Sequence, residues 1–101
     1  MARKVVLTQQ ALSHLEALST YIAKDSAHYA ALTIAKILRR VESLQEFPES
    51  GRIVPEFEDP KLRELLWGTY RIVYRLKPEL VEVLAVVHGK RQLERAVVLG
   101  A

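Results

Sequence analysis

Seven residues, Tyr70 to Leu76, alternate without a break, and no other feature of the chain restricts its fold so tightly. Tyr70, Ile72, Tyr74 and Leu76 fall on one side, and Arg71, Val73 and Arg75 on the other. Aromatic and β-branched residues at period two mark a half-buried strand. One row meets a core, while the other presents two arginines four residues apart, roughly 13 Å along the strand. Flanking runs read as partners: Lys61–Trp67, reversed at Gly68–Thr69, and Leu80–Val87, entered through Lys77–Pro78–Glu79. Reversals this short make an antiparallel meander. The near-continuous Val and Leu content of Leu80–Val87 places that strand in the centre of the sheet.

The first half of the chain has a different period. A short strand, Arg3–Leu7, leads into Thr8, whose hydroxyl suits it to cap a helix. Ala11, Leu12, Leu15, Leu18 and Ile22 then recur at helical spacing. Asp25–Ser26 interrupts the pattern and supplies a second cap. Ala30, Ile34, Ile37, Leu38, Val41 and Leu44 form the stripe of a second helix, which ends near Phe47 because Pro48 disfavours the α region before it. The connection is so short that the helices form an antiparallel hairpin. Glu49–Pro60 reads as a loop, and Gln92–Val98 fits either a helix or a strand. The order β-α-α-β-β-β describes an α+β fold in a single domain, residues 1–101, with the helical hairpin on one face of a small antiparallel sheet. One hairpin covers one face, so the other is expected to stay partly open as a binding surface.

Composition removes several chemistries. Without cysteine there is no disulfide, thiolate metal site or thiol nucleophile. His14, His28 and His88 lack the spacing of a zinc site. Glycine-rich nucleotide loops and a GxSxG elbow are missing too, so no cofactor is expected. The opening MARKVVLTQQ is no signal peptide, and the longest apolar run, Val83–Val87, is too short to span a bilayer. A cytoplasmic protein without membrane contact is expected. Its net charge of +3 is uneven: residues 61–95 hold eight basic and four acidic side chains, and the first sixty hold seven and eight. This asymmetry fits a polyanionic or acidic partner, or a plain solvated face.

Few residues carry chemistry. Arg71 and Arg75 suit phosphates or an acidic protein segment, or else cross-strand ion pairs with Glu64 or Glu82. His88, beside Lys90 and Arg91, has the chemistry of a general acid or base, or simply caps the sheet. Glu56 is the one loop carboxylate placed to act as a base. Trp67 and Phe57 have faces for base stacking, but closing the edge of a small core is the better reading.

Taken together, Leu44, Pro48, Gly51–Arg52, Val54–Pro55–Glu56, Arg63–Glu64, the run Tyr70–Arg71–Ile72–Val73–Tyr74–Arg75 and Val87–His88–Gly89–Lys90–Arg91 resemble the ParE/RelE superfamily of toxins over nearly the whole chain. The resemblance implies the toxin of a type II toxin–antitoxin system, neutralised by a cognate antitoxin that wraps it in a hetero-oligomer. RelE-like members are metal-free endonucleases that cut mRNA on the ribosome, whereas ParE-like members poison DNA gyrase. Arg71, Lys90–Arg91 and the trio Glu56, Arg71 and His88 resemble nuclease residues, making Arg71, His88, Arg91 and Glu56 the catalytic set if the chain is an RNase. Arg63, Arg71, Arg75, Lys90 and Arg91 are the corresponding set for binding a target or RNA. Against a nuclease, Leu62 and Glu64 stand where RelE carries two lysines, and no tyrosine follows Tyr74. The ParE-like reading is therefore preferred, with the RNase and a non-toxic antitoxin-binding relative as alternatives.

Overall fold

The computed structural model describes residues 3–99. β1 (Lys4–Leu7) leads into α1 (Gln9–Ala23) and α2 (Ala27–Glu42), followed by a 3-10 turn at Ser43–Gln45. Four strands follow: β2 (Arg52–Ile53), β3 (Leu62–Trp67), β4 (Tyr70–Leu76) and β5 (Leu80–His88); a short α3 (Arg95–Leu99) ends the described chain. The spatial order is β1-β5-β4-β3-β2. β1 runs parallel to β5, and all other neighbours are antiparallel. β5 is an interior strand, buried on both faces, but the centre expected for it belongs to β4, because β1 adds only one strand beyond β5; both expected caps form. Thr8 Oγ1 accepts from the Ala11 N–H and Ser26 Oγ from the Tyr29 N–H.

The alternation in β4 separates two cores. On one face Ile72 and Tyr74 join Leu65, Val81 and Val83 beneath Ala11 and Leu15 of α1 and Ile37 and Val41 of α2. Trp67 packs at the edge of this core. Leu12 and Leu38, both assigned to the apolar stripes, are instead exposed, because the hairpin turns a narrower stripe to the sheet.

The second face departs from expectation: it is covered. Val73, Leu62, Leu84 and Val87 meet Val54 from the β2–β3 loop, together with Leu93 and Val98 from the segment after β5. Phe57 and Leu99 pack against this cluster. Loop and tail thus do the work of a second helical layer. β5 carries a bulge here, since Val73 faces Ala85 whereas Tyr74 faces Val83. The extra residue, Leu84, turns into the second core beside Ala85.

β1 pairs with β5 only as far as Val83. Beyond it, side chains of α1 satisfy the edge of β5. Thr8 Oγ1 and Gln10 Nε2 donate to the Leu84 carbonyl, and His14 Nδ1 accepts from the Val86 N–H. Gln10 Nε2 also donates to the Val98 carbonyl, tying α1 to the tail.

Candidate functional site

Arg71 lies on the second face of β4, where solvent was expected, yet only 4% of the residue is exposed. A guanidinium so placed must find acceptors for five N–H groups. Nη1 and Nη2 fork onto Glu56 Oε2 and Oε1, each at 2.7 Å. Nε donates to Glu64 Oε1 at 2.6 Å, an oxygen that also lies 2.6 Å from Nη2. Nη1 further donates to the Arg91 carbonyl at 3.2 Å. Four of the five N–H groups of Arg71 therefore hydrogen-bond to protein oxygens, and Nη2 also lies against the Glu64 carboxylate.

The cross-strand pairing with Glu64 is thus the arrangement adopted, and free presentation of Arg71 to phosphate is not. The reason is the cover: loop and tail close over this row, and a charge removed from water must be paired. Glu64, on β3, is 1% exposed, and its second oxygen accepts from Arg52 Nε at 2.6 Å. Glu56 Oε2 also accepts from the Leu93 N–H at 3.2 Å. One chain of charges, Arg52–Glu64–Arg71–Glu56, thereby joins β2, β3, β4 and the tail. Hydrogen bonding from Arg71, reinforced by backbone N–H groups and its positive charge, holds the Glu56 carboxyl down at about 2. The same bond raises the pKa of Arg71 above its ordinary value.

Three other candidates, His88, Lys90 and Arg91, flank this network, and Arg75 and Arg63 lie away from it. His88 ends β5 exposed, with its ring edge-on to Tyr70 at 6.0 Å and Nδ1 accepting from the Lys90 N–H. It pairs with Tyr70 on the helix-side row, across the sheet from the Arg71 row, so it caps the strand end. Lys90 and Arg91 are exposed, and among the described residues their side chains make no ion pair. Arg75 sits at the opposite end of β4, where its Nη2 meets Glu82 Oε1 at 2.7 Å. Arg63 points to the other face and donates to the carbonyls of Pro60 and Gly51. Of the residues singled out from sequence, Glu56, Arg71, Lys90 and Arg91 line one open cleft and Arg71, His88 and Lys90 a neighbouring one, but only Glu56 and the Arg91 backbone bond to Arg71.

Arg52 and Tyr74 escaped the sequence reading. The Tyr74 hydroxyl is buried, donating to the Pro48 carbonyl at 2.8 Å and accepting from the Gly51 N–H at 2.9 Å. Gly51 is required by this approach, because a Cβ there would lie 2.6 Å from both the Glu64 carbonyl oxygen and the Tyr74 hydroxyl. The Pro48–Gly51–Arg52 run and the paired tyrosines of the β4 motif thus have structural work to do.

Those motif positions belong to a known family. The model of the ParE toxin of the type II toxin–antitoxin system parDE matches residues 5–93. This chain belongs to the ParE toxin family. It is 37% identical over 95 residues to Y4kP of Sinorhizobium fredii (strain NBRC 101917 / NGR234), a protein catalogued as a candidate toxin; the match covers 91% of this chain and 95% of Y4kP. The fold is similar to the chromosomal ParDE toxin–antitoxin system from P. aeruginosa, with a TM-score of 0.72 at 21% identity over 86% of this chain and 96% of that one. It is also similar to the RelBE2 toxin–antitoxin complex from Mycobacterium tuberculosis, with a TM-score of 0.63 at 22% identity over 87% and 99%. By its family, the chain is a toxin of the type II toxin–antitoxin class.

Proposed function

We propose that this toxin arrests growth by binding a protein target, DNA gyrase, and not by cutting RNA. The observation that carries the reading is the engagement of Arg71 by two carboxylates. Metal-free cleavage of RNA needs a base for the 2′-hydroxyl, mobile cations for the charge developing on phosphorus, and an acid for the leaving oxygen. Here the arginine at the centre of the resembling nuclease set has four of its five donors bonded to protein oxygens and its charge paired with two carboxylates. Glu56 has both oxygens on Arg71 and a carboxyl held at about 2, far below the neutral range where a general base works well. His88, the remaining candidate, lines a cleft with Arg71 and Lys90, but its Nδ1 is occupied by the Lys90 N–H and it bonds to neither Arg71 nor Glu56.

Brief induction in a bacterial host, with labelled precursors of DNA and protein, tests the reading. Early loss of DNA synthesis, together with inhibition of purified gyrase by the purified chain, is the expected result. An early fall in protein synthesis, with ribosome-dependent mRNA cleavage that disappears in His88→Ala, overturns it in favour of the RelE-like nuclease. His88 is the right position for this test because it is exposed and its loss leaves the buried network intact.

A further inference from the structure

Beyond Val83, where β1 stops pairing with β5, α1 and the tail leave a cavity of about 140 Å³. It is lined by His14 of α1, Ala85 and Val87 of β5, and Arg91, Val97 and Val98 of the tail. Its polar groups are not equivalent. Gln10, also on the lining, spends both amide protons on the Leu84 and Val98 carbonyls. His14 keeps one. Its Nδ1 accepts from the Val86 N–H at 3.1 Å, so the neutral ring carries its proton on Nε2. Among the described residues Nε2 has no acceptor, yet it is not a sealed orphan, a state found only at Thr33. Arg91 brings the second donor. Its backbone is pinned, since Arg71 Nη1 donates to the Arg91 carbonyl, and among the described residues its side chain makes no ion pair. Burial, and then the charge of Arg91, lower the pKa of His14, so the guanidinium stands near the imidazole.

We propose that this cavity binds a small organic monocarboxylate, with its apolar body on Ala85, Val87, Val97 and Val98 and its carboxylate between His14 Nε2 and the Arg91 guanidinium. The size is right for one ring or a short branched chain, because a cavity of about 150 Å³ accepts benzene. A guanidinium fork and an imidazole N–H match the two oxygens of a carboxylate, and charge strengthens both bonds. An ammonium would meet two donors instead. Glu94, on the same lining, opposes a second negative charge, which disfavours dicarboxylates and phosphate. The occupant touches α1, β5 and the tail together, so binding holds the tail down and stabilises the folded chain by mass action. The assignment stands apart from the choice of gyrase as target, because ligand binding is read on the purified chain whether or not it is toxic.

The probe is sodium benzoate, titrated into the isotopically labelled full chain, with benzyl alcohol and benzylamine as its neutral and cationic counterparts. NMR follows the His14 ring and the methyl groups of Ala85, Val87, Val97 and Val98. These signals should move together and saturate with a Kd on the order of 1 mM, as a ligand of this size allows. Arg91→Gln should weaken binding roughly tenfold, the loss of a charged hydrogen bond. Lys90→Gln removes the same charge one residue away, off this lining, and should leave the Kd within about twofold. Val97→Phe, at a half-exposed position, should fill the cavity and abolish binding. Thermal melts check that each variant folds, and benzoate should raise the wild-type midpoint but not that of Val97→Phe. Failure to saturate by about 10 mM overturns the proposal. So does binding of either counterpart as tightly as benzoate, or an equal loss in Lys90→Gln and Arg91→Gln.

Discussion

Replacing Arg71 by alanine strips a buried network of its central cation and separates a structural role for this arginine from a catalytic one. Two carboxylates lose their main partner. Glu64, with a side chain wholly buried, keeps only Arg52 on Oε2; Glu56, 13% exposed, keeps only the Leu93 N–H. Breaking a buried ion pair by removing one partner costs about 3–5 kcal/mol, because the other charge stays desolvated. The residual contacts to both carboxylates put the expected cost at the lower end, about 3 kcal/mol. A domain of this size has only about 5–15 kcal/mol to lose. With a urea dependence of about 1–3 kcal/mol per molar, the unfolding midpoint should fall by about 1–3 M.

Urea unfolding followed by far-UV circular dichroism, alongside growth arrest on induction, measures both roles. The structural role predicts that arrest is lost in step with stability. It also predicts that Arg71→Lys recovers little, since an ammonium cannot fork onto Glu56 and reach Glu64 as well. A midpoint within about 0.5 M of wild type, together with abolished toxicity, would refute the reasoning and return Arg71 to a chemical role.

Other positions carry sharper and smaller expectations. Among the described residues Thr33 Oγ1 is buried without a partner, so Thr33→Val should raise stability by about 1 kcal/mol in the same urea assay. Gly51→Ala should cost about 1–3 kcal/mol and lower the melting temperature, since its Cβ would collide with Glu64 and Tyr74. Glu56 has a folded pKa of about 2, depressed from 4.5, so its stabilisation is complete above about pH 4.5 and lost as pH falls through 2. Solvent reaching the loop limits that contribution to about 1–2 kcal/mol; acid melts of Glu56→Gln should lack this drop. His14 has a pKa lowered by burial and by Arg91, and its Nδ1 must be unprotonated to accept from Val86. Stability should therefore decline as pH falls below 6.5, the ordinary histidine value, and the decline should be absent in His14→Gln.

How much of this was legible depended on period. The strand Tyr70–Leu76 and the hairpin of α1 and α2 follow from regular spacing, and both capping residues do what their side chains dictate. β2 did not, because two residues in a loop of Gly, Pro and acids carry no alternation. The covered second face was equally silent. Val54, Leu93 and Val98 come from segments without periodicity, and they form a layer only because tertiary contacts gather them. That cover decides the site as well. An arginine on an alternating strand reads as solvent-facing until something closes over it, and Glu56 reads as a free loop carboxylate until Leu93 and Arg71 hold it.

The two arginines of β4 show what the cover changes. Arg71 and Arg75 share one row of one strand, and each pairs with glutamate. Arg71 lies under the tail, 5% exposed in its side chain, where salt screens a pair little and exchange of partners would leave a buried charge stranded. Arg75 lies where the cover ends, 33% exposed, and shares Glu82 with Lys77. Hydrogen bonding from Arg75 lowers the pKa of Glu82, but water reaches this pair, so it is screened and opens at small cost. Exchangeable charge suits recognition, and locked charge suits architecture. The arginine that most resembles a catalytic residue is accordingly the less able of the two to meet a ligand.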